Sequence, residues 1–371
     1  MEQVRLALRG IAKVKKKKIL LVDTGASMGG VESYVEGLSG ILRERATLVS
    51  LCVLPELARR LRNQGVQVFL IPGFFLRLKA LRFLLALGVL PIIILREQVQ
   101  IVLLNGFLES VLLIPARLLG CEAIYTQHGS FEDHLYKWYE NPARYFPRLL
   151  ARLCVHFASH VVCVSEATGK VIRDTVPVER TSVIPNWVSR IPSYQARTRE
   201  LLPAAHLLYV GRLERYKGLH LLLLALRSLP AATLTVLGDG SYRKELEALS
   251  EGMDVHFEGF QSNPERYYAE ADIFVMPSMG PEGLPMVCIE AMAHGLPCLF
   301  SDLEVHREIT AAGTAGMLFR SGDAEDLRRK LSILIKEAPL RSTYSQAAYR
   351  RVEEAYNPDT ALQSYLCAFG L

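Results

Sequence analysis

Along this chain, short runs rich in Val, Ile and Leu alternate with stretches of helical period, and the alternation starts, stops and starts again. Lys18–Thr24 (KILLVDT) reads as a buried strand, followed by a Gly-rich turn and a helix over Val31–Arg45. Further strands are expected over Thr47–Val53, Val66–Ile71, Ile101–Leu104, Ala123–Gln127 and Val161–Val164. The segment Ile191–Pro203, polar and carrying two prolines, interrupts the rhythm. It resumes with Leu207–Val210, Thr233–Leu237, Val255–Glu258, Ile273–Val275 and Pro297–Phe300. Near-continuous apolar strands separated by helices argue for parallel sheets covered on both faces. The 371 residues, half of them hydrophobic and 22% charged, suffice for about two domains. The expectation is an α/β chain of two doubly wound, Rossmann-like domains, residues 1–190 and 204–356. A linker over 191–203 joins them, and a last helix, about 357–371, is placed to pack back on the first domain. Such a pair encloses a cleft at the carboxyl ends of both sheets.

Charge divides along the same boundary. Residues 1–190 carry 25 Lys and Arg against 15 Asp and Glu, and the remainder carries 18 against 23. A basic half suits an anionic lipid surface, a nucleic acid or a phosphorylated substrate, or it is merely solvated. No zinc finger, RNP-like strand or zipper is present, which sets nucleic acid aside. Seven cysteines, scattered at 52, 121, 154, 163, 288, 298 and 367 without a CxxC pair, read as thiols of a reducing compartment. Residues 1–18 are charged and lack an apolar stretch ahead of Lys13–Lys18, so no secretory leader is expected. The uncharged run Phe83–Leu95 has 13 residues and contains Pro91. About 20 are needed to cross a bilayer.

Three segments are placed to carry chemistry. In Pro281–Pro297 (PEGLPMVCIEAMAHGLP) a helix is expected to open near Pro285 and end before Gly295, since proline suits a first turn and glycine follows a last one. Its free amides near Leu284, Met286 and Val287 would point into the cleft with the positive end of the dipole, an arrangement for a phosphate or a sugar hydroxyl. Glu282 and Glu290, eight positions apart, could each accept from a vicinal diol; a capping acid and an ordinary surface glutamate would read the same. In Gly211–Gly218 (GRLERYKG), Arg212 and Lys217 could grip phosphate oxygens, as a fork and a point charge, or stand as solvated loop cations beside Glu214. Gly25–Gly30 (GASMGG) lets backbone approach an anion, but it is neither GxGxxG nor a Walker loop.

Together these segments resemble the family 4 retaining glycosyltransferases, whose two-domain fold is GT-B. PEGLPMVCIEAMAHGLP matches that family's E-x7-E motif. GGVES resembles its N-terminal Gly-Gly loop and TQHGSF the strand end carrying its histidine. VSEATGKVI, VIPNWV, GRLERYKG, LGDGSYRKELE, VHFEGF and YYAEADIFVMPS follow in the family's order. The resemblance implies that Arg212 and Lys217 hold the donor diphosphate and Glu290 the ribose hydroxyls. Glu282 would hold the transferred sugar, with backbone from Gly283, Leu284, Pro285 and Met286. Gly29 and Gly30 would approach the diphosphate or the acceptor from the opposite domain, and His128 would sit at the reacting centre. Catalytic roles fall on Glu282, His128, Arg212 and Lys217. Trp187 and Ser189 stand where the family often has Gly and Asp, and Asn105 where relatives often have histidine.

The implied reaction moves a hexosyl group from a UDP- or GDP-sugar to an acceptor hydroxyl with retained configuration. The leaving phosphate would take the proton. No acidic pair resembling DxD faces the cleft, and Asp239 is a lone acid in a turn, so neither a metal nor another cofactor is expected. The expected acceptor is a glycan, lipid-linked in surface-polysaccharide (lipopolysaccharide) assembly. The expected setting is cytoplasmic, peripheral on the inner face of a membrane, with the Lys15–Lys18 run and Phe74–Leu95 against anionic lipid. A nucleotide-sugar epimerase of the same fold, or a transferase with a soluble acceptor, is the alternative. A dinucleotide oxidoreductase is disfavoured, because the second strand ends LCVL with no acid about 20 positions beyond Gly29.

Overall fold

The computed structural model describes residues 16–25, 28–72, 79–106, 108–129, 150, 152–195, 205–229, 232–280 and 282–371. Seven strands form the first sheet: β1 (Lys18–Asp23), β2 (Thr47–Cys52), β3 (Gln67–Leu70), β4 (Ile101–Leu104), β5 (Glu122–Gln127), β6 (His160–Cys163) and β7 (Thr181–Val183). They are hydrogen-bonded in the order β3-β2-β1-β4-β5-β6-β7, all parallel. The second sheet holds β8 (Ala205–Val210), β9 (Ala232–Leu237), β10 (Val255–Gly259), β11 (Ile273–Met276), β12 (Cys298–Ser301) and β13 (Met317–Phe319). Its order is β10-β9-β8-β11-β12-β13, again all parallel. The two α/β halves share one winding, which reverses between β1 and β4 in the first and between β8 and β11 in the second. Ligands of such sheets bind outside the carboxyl ends at these switch points.

Burial on both faces accounts for the apolar strands. In β1, Leu20 and Val22 enter one core and Ile19 and Leu21 the other, on the opposite face. Fully burying each such side chain stabilises by about 1.5–3 kcal/mol. The helix Pro358–Phe369 belongs to the core of the first half: Ala361, Tyr365, Ala368 and Phe369 pack among residues of β1 and of the helix Gly30–Leu42. Trp187 is buried there too, edge-on to Tyr34 and Tyr365 at ring separations of 5.5 and 5.9 Å. Of the segment between the halves, the described part leans on the helix Ala338–Ala355: Tyr194 meets Ser345 at 3.1 Å, and Tyr349 donates to the Pro192 carbonyl at 3.0 Å. β7 and β13 were not anticipated. Each has three residues at a sheet edge, too short for a periodic signal to emerge.

Two expectations about the basic half change in detail. Lys17 donates to the Phe369 carbonyl at 3.0 Å and Lys18 pairs with Glu97 at 3.2 Å, so two lysines of the run serve the fold. Lys15 lies outside the described residues. In the helix Lys79–Glu97, which contains Pro91, Ala86, Leu90, Ile93 and Ile94 are buried while Leu84, Ile92 and Leu95 are exposed. Phe74 and Arg77 lie outside the described residues. No helix among the described residues is long and apolar enough to cross a membrane.

Candidate active site

The carboxyl end of β11 and the turn beyond β8 converge on one ion pair. Lys217 closes the 3₁₀ turn Arg215–Lys217, and its ammonium reaches both carboxylate oxygens of Glu282, at 2.7 and 2.8 Å. Ser278, just beyond β11, adds a hydroxyl donated to Glu282 at 2.6 Å. Gly218 makes the approach feasible. Its φ is +72°, and a Cβ there would lie 1.9 Å from the Pro277 carbonyl oxygen, so only glycine fits. Burial works against charge on both partners, yet each stays ionised. The Lys217 ammonium is held above its ordinary range because Glu282 outweighs desolvation. The Glu282 carboxyl is held below its own because Lys217, then Ser278, outweigh the same effect.

Behind the pair, Ser301 donates to the Ser278 carbonyl at 2.6 Å and lies 3.1 Å from His306 Nδ1. Burial pushes the His306 imidazole down to about 4, against the pull of Glu282, so it is neutral at ordinary pH. Ser278 falls inside a motif read for its family order; Ser301 and His306 carry no sequence signal. Arg212 is exposed beside the pair, donates to the Tyr216 hydroxyl, and has its own carbonyl held by Tyr209 at 3.0 Å.

The helix Met286–Ala293 starts after Pro285 with no side chain capping it, and Gly295 ends it at φ +64°. Glu290 lies one turn inside. Tyr268 donates to its carboxylate at 2.9 Å, and burial holds that carboxyl above its ordinary range despite the bond. The Leu284 carbonyl accepts from Asn186 of the first half at 2.8 Å.

The first half meets this segment directly. A Cβ on Gly283 would lie 1.8 Å from the His128 carbonyl oxygen and one on Gly30 would lie 3.8 Å from Met286 Cγ. The His128 ring sits edge-on to Tyr34 at 4.5 Å, with Nε2 shielded from solvent and unpaired. Burial pushes it down to about 3, so it is a neutral imidazole at working pH. Thus His128, Gly30, Gly283 and Met286 gather at one junction, and Lys217 and Glu282 at the pair beside it. Gly29 begins the helix Gly30–Leu42 as its N-cap, while Glu290 is set back against Tyr268. Asn105 is buried, its amide donating to the Val22 carbonyl at 3.4 Å. Sequence patterns did not single out the acids Asp23, Glu32 and Glu109 around the first switch point, although Glu32 stands inside the quoted GGVES.

The group described as glycosyltransferase family 4 matches residues 28–190, and that described as glycosyl transferases group 1 matches residues 196–351. The chain belongs to the family 4 glycosyltransferases. Among its relatives, a sulfoquinovosyl transferase of Arabidopsis thaliana is 36% identical over 152 residues, 40% of this chain and 30% of that one. A lipopolysaccharide core biosynthesis glycosyltransferase of Rhizobium meliloti is 29% identical over 161 residues, 42% of this chain and 47% of its own. The match therefore spans less than half the length of these two relatives. A second lipopolysaccharide core enzyme of that organism aligns over 95% of this chain and 98% of its own at 23% identity. Among solved structures, an Anabaena protein in complex with UDP-glucose superposes at TM-score 0.80 and 20% identity, covering 95% of this chain and 100% of that one. The sucrose-phosphate synthase of Thermosynechococcus elongatus superposes at 0.81 and 19%, covering 96% and 100%. At such identities these structures speak for the GT-B fold of the chain alone.

Proposed function

We propose that this glycosyltransferase moves a hexosyl group from a UDP- or GDP-linked sugar to an acceptor hydroxyl, retaining anomeric configuration. The observation that carries the reading is Lys217 bound to both oxygens of Glu282 at the mouth of an uncapped helix, with Arg212 exposed beside it. The bond between the anomeric carbon and the leaving phosphate oxygen breaks, and a bond to the acceptor oxygen forms on the same face. The acceptor proton passes to the leaving phosphate. Negative charge grows on that phosphate, where Arg212, the remaining Lys217 proton and the amides of Gly283, Leu284 and Met286 stabilise it. With these cations at hand, the reaction proceeds without a metal.

Glu282, kept ionised, holds hydroxyls of the transferred sugar, and Pro285 sets the turn that presents the neighbouring amides. Glu290 accepts from the ribose. Gly29 and Gly30 bring backbone to the diphosphate or acceptor. His128, uncharged, positions by hydrogen bonding and does not carry the proton. The acceptor is a lipid-linked glycan of surface-polysaccharide assembly, reached from the cytoplasmic face. Two features support this: relatives in lipopolysaccharide core synthesis, and Leu84, Ile92 and Leu95 exposed along one face of a helix in the basic half. Charge and inserted apolar surface act together in such docking.

The test is thermal stabilisation by a panel of UDP- and GDP-sugars, followed by transfer assays with and without EDTA. The cognate nucleotide at 100 times its dissociation constant stabilises by about 2.7 kcal/mol. Glu290→Ala weakens free nucleotide binding by about 1–3 kcal/mol. If no nucleoside diphosphate stabilises the protein, the reading is wrong; if EDTA abolishes transfer and Mg²⁺ restores it, metal independence is wrong.

A further inference from the structure

The carboxyl ends of β1 and β4 gather acids for which the donor chemistry has no use. Asp23 ends β1, Glu32 lies in the first turn of the helix Gly30–Leu42, and Glu109 lies in the 3₁₀ turn Leu108–Leu112 after β4. A Cβ on Gly25 would stand 2.0 Å from Glu32 Oε1 and 2.9 Å from Asp23 Oδ1, so these carboxylates meet over one glycine. Glu109 is tied in by the Thr24 amide at 3.1 Å and by the Thr24 hydroxyl. Asp23 and Glu109 are buried, as is Glu32. Among the described residues, the charges acting on Asp23 are those of Glu32 and Glu109, all of one sign.

A second observation stands apart from the acids. Asp23, Asn105 and Thr126 follow one step beyond the paired residues Val22, Leu104 and Tyr125, and so share one face of three neighbouring strands. Tyr34 lies on that face, 3.3 Å from the Thr126 hydroxyl and edge-on to His128. Across this patch three shielded polar atoms lack a partner: Asp23 Oδ2, Asn105 Oδ1 and His128 Nε2. Asn105 is 1% exposed and Asp23 is 3% exposed. Buried polar atoms without partners are rare and costly, and here they cluster where the sheet reverses and the other half closes over His128. The Asn105 amide oxygen accepts, and Asp23 Oδ2, where a carboxyl whose Oδ1 already accepts from the Gly25 amide keeps its proton, donates, so the missing partner both donates and accepts, as a hydroxyl does. A phosphate or carboxylate brings no donor at neutral pH and is repelled by the acids around Asp23. An ammonium would demand ionised partners, yet burial and the neighbouring acids push Asp23 up to about 8, so the group retains a proton unaided.

We propose that Asp23, Glu32, Glu109 and Asn105 form the floor of the acceptor site and select an uncharged, hydroxyl-rich sugar ring, rejecting rings that bear phosphate or carboxylate. This rests on the reading of the chain as a nucleotide-sugar-dependent transferase. The test uses alkyl hexosides of gluco, galacto and manno configuration, each beside its uronate, 6-phosphate and 2-amino counterparts. Binding to the full-length protein saturated with nucleoside diphosphate is measured for each. Wild type binds at least one neutral hexoside tenfold or more tightly than its anionic counterparts. Glu109→Gln, whose amide oxygen still accepts from Thr24, narrows that ratio to threefold or less while nucleotide affinity stays unchanged. Equal or tighter binding of the anionic rings, tighter binding of the amino sugars, a ratio unmoved by Glu109→Gln, or no binding of any ring each overturns the proposal. Failure to bind nucleotide at all sinks the transferase reading instead, so the two fail separately.

Discussion

Both sheets end in buried carboxylates at their switch points, and the two ends treat charge in opposite ways. Glu282 beyond β11 is gripped by Lys217 and Ser278, and stays ionised despite its burial. Asp23 at the end of β1 faces Glu32 and Glu109 and is pushed up to about 8. Desolvation is common to both; the sign of the neighbouring charge separates them. A compensated carboxylate offers permanent charge, suited to a site that must hold cations and growing phosphate charge in register. An uncompensated group keeps a proton, and serves as a bed for neutral hydroxyls.

The largest expected effect comes from removing the cation. Lys217→Ala leaves Glu282 buried without its partner, and destabilises by about 3–5 kcal/mol in urea unfolding. Turnover falls more than the donor Michaelis constant rises, because the phosphate charge that Lys217 meets grows in the transition state. Lys217→Met combined with Glu282→Gln removes both charges and regains most of the stability without activity. If the single and double variants are equally unstable, the pair is not compensated in the manner described.

Next comes the junction where the two ends meet. Gly283→Ala inserts a methyl group 1.8 Å from the His128 carbonyl oxygen, and the halves must part to admit it. Overpacking of this kind costs about 1–3 kcal/mol. Because closure rather than either core bears it, transfer slows by tenfold or more while the thermal midpoint moves little. A variant with unaltered transfer would mean that the contact between halves is not needed for reaction.

The smallest effect isolates the uncompensated group. A carboxyl whose folded value lies above its unfolded value leaves stability intact below about pH 4, where it is protonated in both states. That stability is lost as pH rises toward 8. Glu32, Glu109 and the buried Cys52 thiol face Asp23, and none supplies a positive charge. Asp23→Asn therefore matches wild type near pH 4 and exceeds it at pH 8, by roughly 1.4 kcal/mol or more, the free energy of a tenfold change in proton affinity. Parallel stability profiles across that range would show that Asp23 ionises normally.

The chain's repeated β/α alternation was enough to determine two doubly wound sheets, because strands buried on both faces must be apolar throughout and that leaves a plain trace in sequence. The spacing of Pro285, Glu290 and Gly295 likewise announced a helix with an acid in it, since capping preferences are local. What no local pattern could supply was pairing. Lys217 and Glu282 lie 65 positions apart, and only the turn at Gly218 and the end of β11 bring them within 2.7 Å. The acids Asp23 and Glu109 came together only because β4 lies beside β1 in the sheet, and strand order is not written in any single strand. Charge state followed from that assembly: a carboxylate's ionisation depends on which neighbours the fold places within a few ångströms and how much water it removes. Tertiary structure therefore decided which acids of this chain remain charged and which keep a proton.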